Sequence, residues 1–271
     1  MLTNLDALET SPDERIEETA NPILQFRRSN PADADERSFP PPTLAQRIYS
    51  PMRRLLDFTL ALALTLVAIP IVLMAALVVR LTSRGPAFYT QVRTGKNGKP
   101  FTIFKIRSMI HDCESLTGPR WTIPGDPRVT PVGWLLRRTH IDELPQLLNV
   151  LKGEMSLIGP RPERPEFVAE LEQAIPGYAD RHTVTPGITG LAQVQLAPDS
   201  DLETVRRKLI HDLHYIRNLS FWLDVRILAA TGLHMLGLSF KRMRKLRIVP
   251  QPSDAEATLP QEAPRVHQRA A

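Results

Sequence analysis

The sequence predicts a mostly helical α/β fold held at a membrane face by one helix that enters and leaves on the same side. Three observations predict it. Residues 58–79 form an uncharged apolar run with Pro70 near its middle and basic residues on both sides. Residues 88–109 hold two short apolar runs around a turn. Regular strand–helix alternation is missing, so no large parallel sheet is expected.

The chain has 271 residues, enough for one good-sized domain with appendages. Its first 43 residues carry nine acids, four bases and six prolines without a sustained apolar period. They read as a disordered tail (1–43) with no cleavable signal sequence. The whole chain is +5, so the remainder carries a strong basic excess. A basic body suits anionic partners such as phosphorylated substrates or an anionic lipid surface. Aromatic residues make up only 6%, and no zinc-finger or RNA-binding signature is present, which argues against nucleic acid. A single cysteine, Cys113, leaves no internal disulfide and fits a reducing compartment.

The apolar run F-T-L-A-L-A-L-T-L-V-A-I-P-I-V-L-M-A-A-L-V-V is long enough to cross a bilayer. Pro70 removes a backbone hydrogen bond near its centre and bends it. Arg47, Arg53 and Arg54 precede it; Arg80, Arg84, Arg93, Lys96 and Lys99 follow it. The positive-inside rule places both flanks on the cytoplasmic side, which a straight span cannot satisfy and a proline-broken re-entrant helix over 44–84 can. An ordinary span and a buried soluble helix are the alternatives.

Next, F-Y-T-Q-V-R-T-G-K-N-G-K-P-F-T-I-F-K-I-R-S-M holds two short apolar runs around a turn at Gly95–Gly98, and Asn97-Gly98 is a hairpin turn signal. Lys105 and Arg107, two apart, are expected on one face of the second strand. A helix starts near Leu202 and is followed by an apolar helix with Trp222 near one end. Five bases in seven residues come after it, from Lys241 to Arg247. This pattern suits a membrane surface; a core helix with a solvated basic end is the alternative. Residues 250–271 read as a second tail.

The chemistry-bearing stretch is T-H-I-D-E-L-P-Q-L-L-N-V-L-K-G-E-M-S-L-I-G-P-R-P-E, residues 139–163. Asp142 is expected as an N-cap, Glu143 in the first turn and Pro145 at an early helical position. Ile141, Leu144, Leu148 and Leu151 would form the apolar stripe, and Gly153 the end. The two acids would then sit at the positive end of a helix and point about 100° apart. One could attack a phosphorus while the other holds a cation; a capping acid beside a solvated glutamate is the bland alternative. Arg161, between two prolines, is a pre-aimed guanidinium suited to phosphate. Acids and bases beside a membrane element suggest phosphoryl chemistry at a lipid interface, usually with Mg²⁺.

Three segments occur in one order: F-T-I-F-K-I-R-S-M, then H-I-D-E-L-P-Q-L-L-N-V-L-K-G-E-M-S-L-I-G-P-R-P-E, then V-T-P-G-I-T-G-L-A-Q-V. Together they resemble the bacterial sugar transferase family, the monotopic phosphoglycosyl transferases, from about Arg47 to Leu238. The resemblance implies transfer of a sugar 1-phosphate from a UDP-sugar to polyprenyl (undecaprenyl) phosphate, with release of UMP. It implies Asp142 as nucleophile of a covalent phosphosugar intermediate and Glu143 at a Mg²⁺ site. Lys105, Arg107, Arg137 and Arg161 match the basic phosphate-holding positions, and Asp212 in H-D-L-H-Y-I is a second metal candidate. The implied partners are the UDP-sugar, polyprenyl phosphate and membrane lipid, with a homo-oligomer left open. The implied place is the bacterial inner membrane, with a catalytic domain over 85–249 facing the cytoplasm and beginning exopolysaccharide or other glycoconjugate synthesis. Two positions depart from the family pattern: Ile69 stands where serine usually precedes the proline, and Q-L-A-P-D-S-D replaces the usual N-G-R. A membrane-attached Mg-dependent phosphohydrolase and an inactive assembly scaffold are the alternative functions.

Overall fold

The structure, a computed structural model, describes residues 43–250 apart from 116, 117, 119, 124, 197–200, 239, 246 and 247. Most of both predicted tails, and part of the Q-L-A-P-D-S-D segment, therefore lie outside the described residues. The chain begins with α1 (Leu44–Thr82). Thr43 caps it: its hydroxyl accepts from the Gln46 amide, and the Gln46 side chain accepts from the Thr43 amide.

Helix α1 is continuous for 39 residues and passes through both Pro51 and Pro70. The interruption expected at Pro70 is not seen. A proline in a helix removes the bond to the carbonyl four residues earlier, here that of Leu66. Leu66 lies on the exposed side of the helix, so no buried partner is lost. The Thr65 hydroxyl, about one turn before Pro70, donates to the Ala61 carbonyl at 2.7 Å.

Helix α1 is the one helix among the described residues long and apolar enough to cross a membrane. Its buried positions are Tyr49, Arg53, Asp57, Ala61, Ala68, Ala75, Ala76 and Val79, mostly three or four residues apart, or multiples of that spacing. They form a single stripe, and its alanines let other elements approach closely. The remaining surface carries exposed Leu62, Leu66, Val67, Ile69, Leu73, Met74 and Leu77. Both flanks of the apolar run touch the same body. Arg54 donates to the Val150 carbonyl at 2.6 Å before the run, while Ala75 and Val79 pack with Ile106 and Leu136 after it.

The predicted hairpin is present. Strand β1 (Phe88–Thr94) pairs antiparallel with β2 (Pro100–Ile106), and Asn97 and Gly98 hold the positive φ values their turn needs. Helix α2 (Pro131–Thr139) starts at a Thr130 cap with proline at its first position, and ends at His140 in the left-handed conformation. A 3₁₀ segment, Ile141–Gln146, leads directly into α3 (Leu147–Lys152), which Gly153 closes at φ +88°.

A second small sheet, not predicted, joins β3 (Ser156–Ile158) to β4 (Gly187–Thr189) in parallel. Between them lie α4 (Pro165–Ala174) and a 3₁₀ segment, Tyr178–Thr183. Each of these strands has three residues, too few for a hydrophobic period to reveal. The helices α5 (Leu202–Arg217), α6 (Phe221–Met235) and α7 (Phe240–Lys245) complete the chain. One apolar core gathers Leu147, Met155, Leu171, Tyr178, Leu191, Leu213, Tyr215 and Ile227 around the two sheets. Trp222 is 72% exposed on α6, as a residue at a membrane surface would be.

Candidate active site

The stretch around Asp142 folds differently from the expected capped helix. The capping position is His140, which has no side-chain cap bond, and Asp142 is the second residue of the 3₁₀ segment. The cause is upstream: α2 runs to Thr139, so one left-handed residue serves as its end and as the next start. This turns the other face inward. Asp142, Pro145, Gln146, Asn149 and Val150 are buried, whereas Leu148 of the expected apolar stripe is exposed. The inward polar groups have work to do: Asn149 accepts from the Phe104 amide and donates to the Thr102 carbonyl, holding the segment to β2.

That docking brings Glu143 against Lys105. The Lys105 ammonium meets Glu143 Oε1 at 2.8 Å, and Arg161 reaches both oxygens, with Nη1 to Oε2 at 3.3 Å. Burial by itself would raise the Glu143 carboxyl, but the charges and hydrogen bonds of Arg161 and Lys105 outweigh it and hold it well below the usual range. Burial lowers the Lys105 ammonium, partly offset by Glu143.

Asp142 is treated oppositely. It is 6% exposed, and among the described residues no group is hydrogen-bonded to its carboxylate. Burial, then the Glu143 charge, push it above the ordinary aspartate value, against the lowering pull of Lys105, Arg137 and Arg161. Burial penalises the charged form of this carboxylate. The two adjacent acids are thus driven in opposite directions by their surroundings.

Arg137 stands at the end of α2, where its Nε donates to Ser108 Oγ at 2.8 Å, and its charge is felt by Asp142. Arg161 lies in the loop after β3. That loop is fixed by backbone contact: Gly187 donates to the Pro160 carbonyl at 2.9 Å and Gly159 to the Thr189 carbonyl at 2.8 Å. A Cβ on Gly187 would stand 2.1 Å from the Gly159 nitrogen, so the P-G-I-T-G motif is a packing surface for G-P-R-P.

Two expected site residues make other contacts. Arg107 lies just beyond β2 and turns away, its Nε donating to the Pro86 carbonyl at 2.6 Å and its Nη2 to Ser83 and Gly85. It ties the exit of α1 to the hairpin and does not face the two acids. Strand alternation ends at Ile106, so the shared face with Lys105 is lost. Asp212 is held by Arg181, at 2.8 Å from Nη2, and Arg181 in turn donates to the Arg161 carbonyl at 3.0 Å. Asp212 thus supports the Arg161 loop through Arg181, and it lines one pocket with both arginines.

Sequence reading missed Arg181, and it missed Arg93, which donates to the Pro162 carbonyl and pairs with Glu163 at 3.3 Å. Neither sits in a recognisable spacing; only the fold brings them to the loop. Among the described residues no three acidic, histidine or cysteine side chains converge to hold a metal. Asp142 and Glu143 are two carboxylates at one place, which fits Mg²⁺ when a substrate diphosphate supplies the other oxygens.

The charges around Asp142 predict a pH effect. Lys105 lowers the Asp142 carboxyl, so Lys105→Met raises it further. The acid limb of any Asp142-dependent labelling then moves to higher pH, because a carboxylate acts only when deprotonated. An unmoved or lowered midpoint in a pH profile of labelling would contradict this electrostatic assignment.

The bacterial sugar transferase family model matches residues 48–237. The chain is 44% identical over 188 residues to "UDP-N-acetylgalactosamine-undecaprenyl-phosphate N-acetylgalactosaminephosphotransferase" of Aeromonas hydrophila, covering 69% of this chain and 44% of that protein. It is 45% identical over 187 residues to "Undecaprenyl-phosphate glucose phosphotransferase" of Komagataeibacter xylinus, covering 66% of this chain and 35% of that one. It is 40% identical over 185 residues to "Exopolysaccharide production protein PSS" of Rhizobium leguminosarum bv. phaseoli, covering 66% of this chain and 92% of that one. The first two matches span less than half the length of those relatives. With the match running from the start of α1 to the end of α6 and enclosing the acid pair and its cations, this chain belongs to the bacterial sugar transferase family.

Proposed function

We propose that this protein transfers a sugar 1-phosphate from a UDP-sugar to undecaprenyl phosphate. The observation that carries the reading is the buried, unbonded carboxylate of Asp142 beside a Glu143 that gathers Lys105 and Arg161. The printed names of the relatives, which act on undecaprenyl phosphate, support the same acceptor for this chain.

In this reading an Asp142 oxygen attacks the sugar-bearing phosphorus of the donor. The bond from that phosphorus to the bridging oxygen breaks, and UMP leaves with the electron pair. The resulting phosphosugar–aspartate is then attacked by a phosphate oxygen of the lipid, which forms a diphosphate link and frees the Asp142 carboxylate. Desolvation makes Asp142 a stronger nucleophile, and the covalent intermediate splits one difficult transfer into two easier steps. Lys105, Arg137 and Arg161 hold phosphate oxygens and neutralise charge as it develops. Glu143 keeps two of these cations aimed at one point. Mg²⁺, held by Glu143 with the donor diphosphate, would supply further charge neutralisation.

Helix α1 would sit in the bilayer with both flanks on the cytoplasmic side. A re-entrant course is supported by the basic flanks and by the contacts of both ends with one body. Cysteines placed singly at Ser50 and Arg84, in a Cys113→Ser background, should both react with a reagent confined to the cytoplasmic face. Reaction from opposite faces would replace the re-entrant course by a span. The activity test supplies a panel of UDP-sugars, Mg²⁺ and undecaprenyl phosphate: lipid-dependent UMP release is expected. UMP or phosphate release that ignores the lipid would instead mark a hydrolase.

A further inference from the structure

A cavity of about 490 Å³ opens between α1 and α6, on the outer side of β3. Its size falls within the ~300–1,000 Å³ usual for ligand pockets. Leu56, Leu60 and Ala63 line it from α1, Val225 and Leu228 from α6, and Ile158 from β3. The rim is open and apolar: Leu56, Leu60, Val225 and Leu228 all keep more than a third of their surface exposed. We infer that this groove holds the isoprenoid chain of the lipid acceptor, an assignment that rests on the transferase reading above.

Two observations choose that occupant. The first concerns charge. Arg53, Asp57 and Asp224 reach the groove, but each is already engaged. Arg53 donates to Ser156 Oγ and to the Ile158 carbonyl and pairs with Asp224 at 3.1 Å. Asp57 accepts from the Leu157 amide, and Asp224 accepts from the Tyr49 and Tyr215 hydroxyls. An anionic headgroup finds no open cation here, so what remains for a ligand is hydrocarbon surface.

The second concerns direction. Ile158 is the last residue of β3, and Arg161 follows three residues later. That is at most about 10 Å of extended chain. A chain lying against Ile158 therefore has its phosphate end within reach of Arg161 and the acid pair. A bulk membrane lipid has no reason to be directed there, whereas the acceptor must place its phosphate there to react.

The test separates the two half-reactions. Ala63→Trp and Leu228→Trp fill the groove without touching a catalytic group, and Leu66→Trp, equally apolar but off the groove, is the control. Each groove variant should raise KM for undecaprenyl phosphate at least tenfold, while the acceptor-free phosphosugar label and KM for the UDP-sugar stay as in the unaltered protein. An unchanged acceptor KM overturns the assignment, including the case where only partition into vesicles falls, which would mean that bulk lipid fills the groove. A photoreactive prenyl phosphate gives a readout independent of turnover and of folding defects in the variants. On the unaltered protein it should label residues 56–63 or 225–228, with competition by undecaprenyl phosphate but not by phosphatidylglycerol. Labelling confined elsewhere overturns the assignment. Failure of the unaltered protein to make any lipid-linked product would refute the transferase reading, and the labelling would still decide what the groove binds.

Discussion

Asp142→Asn is expected to abolish turnover, by about 10⁴-fold or more as for other lost nucleophiles, and to remove any covalent phosphosugar label. The amide has nearly the same shape but no charge with which to attack. The same change should leave the melting temperature equal or higher. The sign follows from burial. The folded Asp142 carboxyl is raised above its ordinary value, so the native state binds this proton over a range where the unfolded chain has released it. Its contribution to stability is therefore present at low pH and is lost as pH rises through the raised value. Above that raised value burial penalises the ionised carboxylate, and Asn lifts the penalty. Glu143→Gln should behave oppositely, losing stability at neutral pH. Its folded carboxyl lies below its ordinary value, so its contribution is present above that ordinary value and is lost as pH falls through the lowered one. A covalent label retained by Asp142→Asn would take the nucleophile's role away from Asp142.

Arg53→Met should be the most damaging change to the fold. Arg53 is 9% exposed, pairs with Asp224, and donates to Ser156 and Ile158 of β3. Removing it leaves Asp224 and Asp57 as neighbouring buried acids without their cation. Breaking one side of a buried pair costs about 3–5 kcal/mol, a large part of the 5–15 kcal/mol that holds a typical domain. The deficit should be greatest at neutral pH and shrink on acidification, since protonation removes the uncompensated charge. Arg53→Lys keeps the charge but not the fork of donors, and should fall between the two. Thermal unfolding in detergent micelles at two pH values measures both effects. A Met variant that melts within a degree or two of the original would show that the pair contributes little.

Because Arg53 sits on α1 and holds β3, the same network links the apolar helix to the loop that carries Arg161. The energetics of the membrane element and the geometry of the site are joined through one strand of three residues. The Asp212–Arg181 pair also holds that loop, through the Arg161 carbonyl.

Much of this was legible in the residues. The hairpin announced itself because Asn97-Gly98 meets a backbone requirement that few other pairs meet. The helix starting near Leu202 and the apolar helix bearing Trp222 were also read from the residues, as α5 and α6. The acids Asp142 and Glu143 and the cations Lys105 and Arg161 were named from the sequence and are brought together, with Arg137 close enough for its charge to act on Asp142. The capped helix at Asp142 and the facing of Arg107 were misjudged, and the Arg181 partner of Asp212 was not foreseen. Each depends on a direction that spacing does not encode: where α2 ends, where β2 stops alternating, and which arginine arrives from a distant 3₁₀ segment.

By itself the sequence determined the parts whose physics is local: an apolar length too great for water, a turn that needs positive φ, and a clustering of acids and bases suited to phosphate. The tertiary structure alone decided which acid is raised by burial and which is held low by paired cations. Asp142 and Glu143 are adjacent and chemically alike, and only the arrival of Lys105 and Arg161 on one of them, with burial around the other, separates their ionisation. Electrostatic energy depends on distance through space and on exclusion of water, and neither is a property of position along the chain.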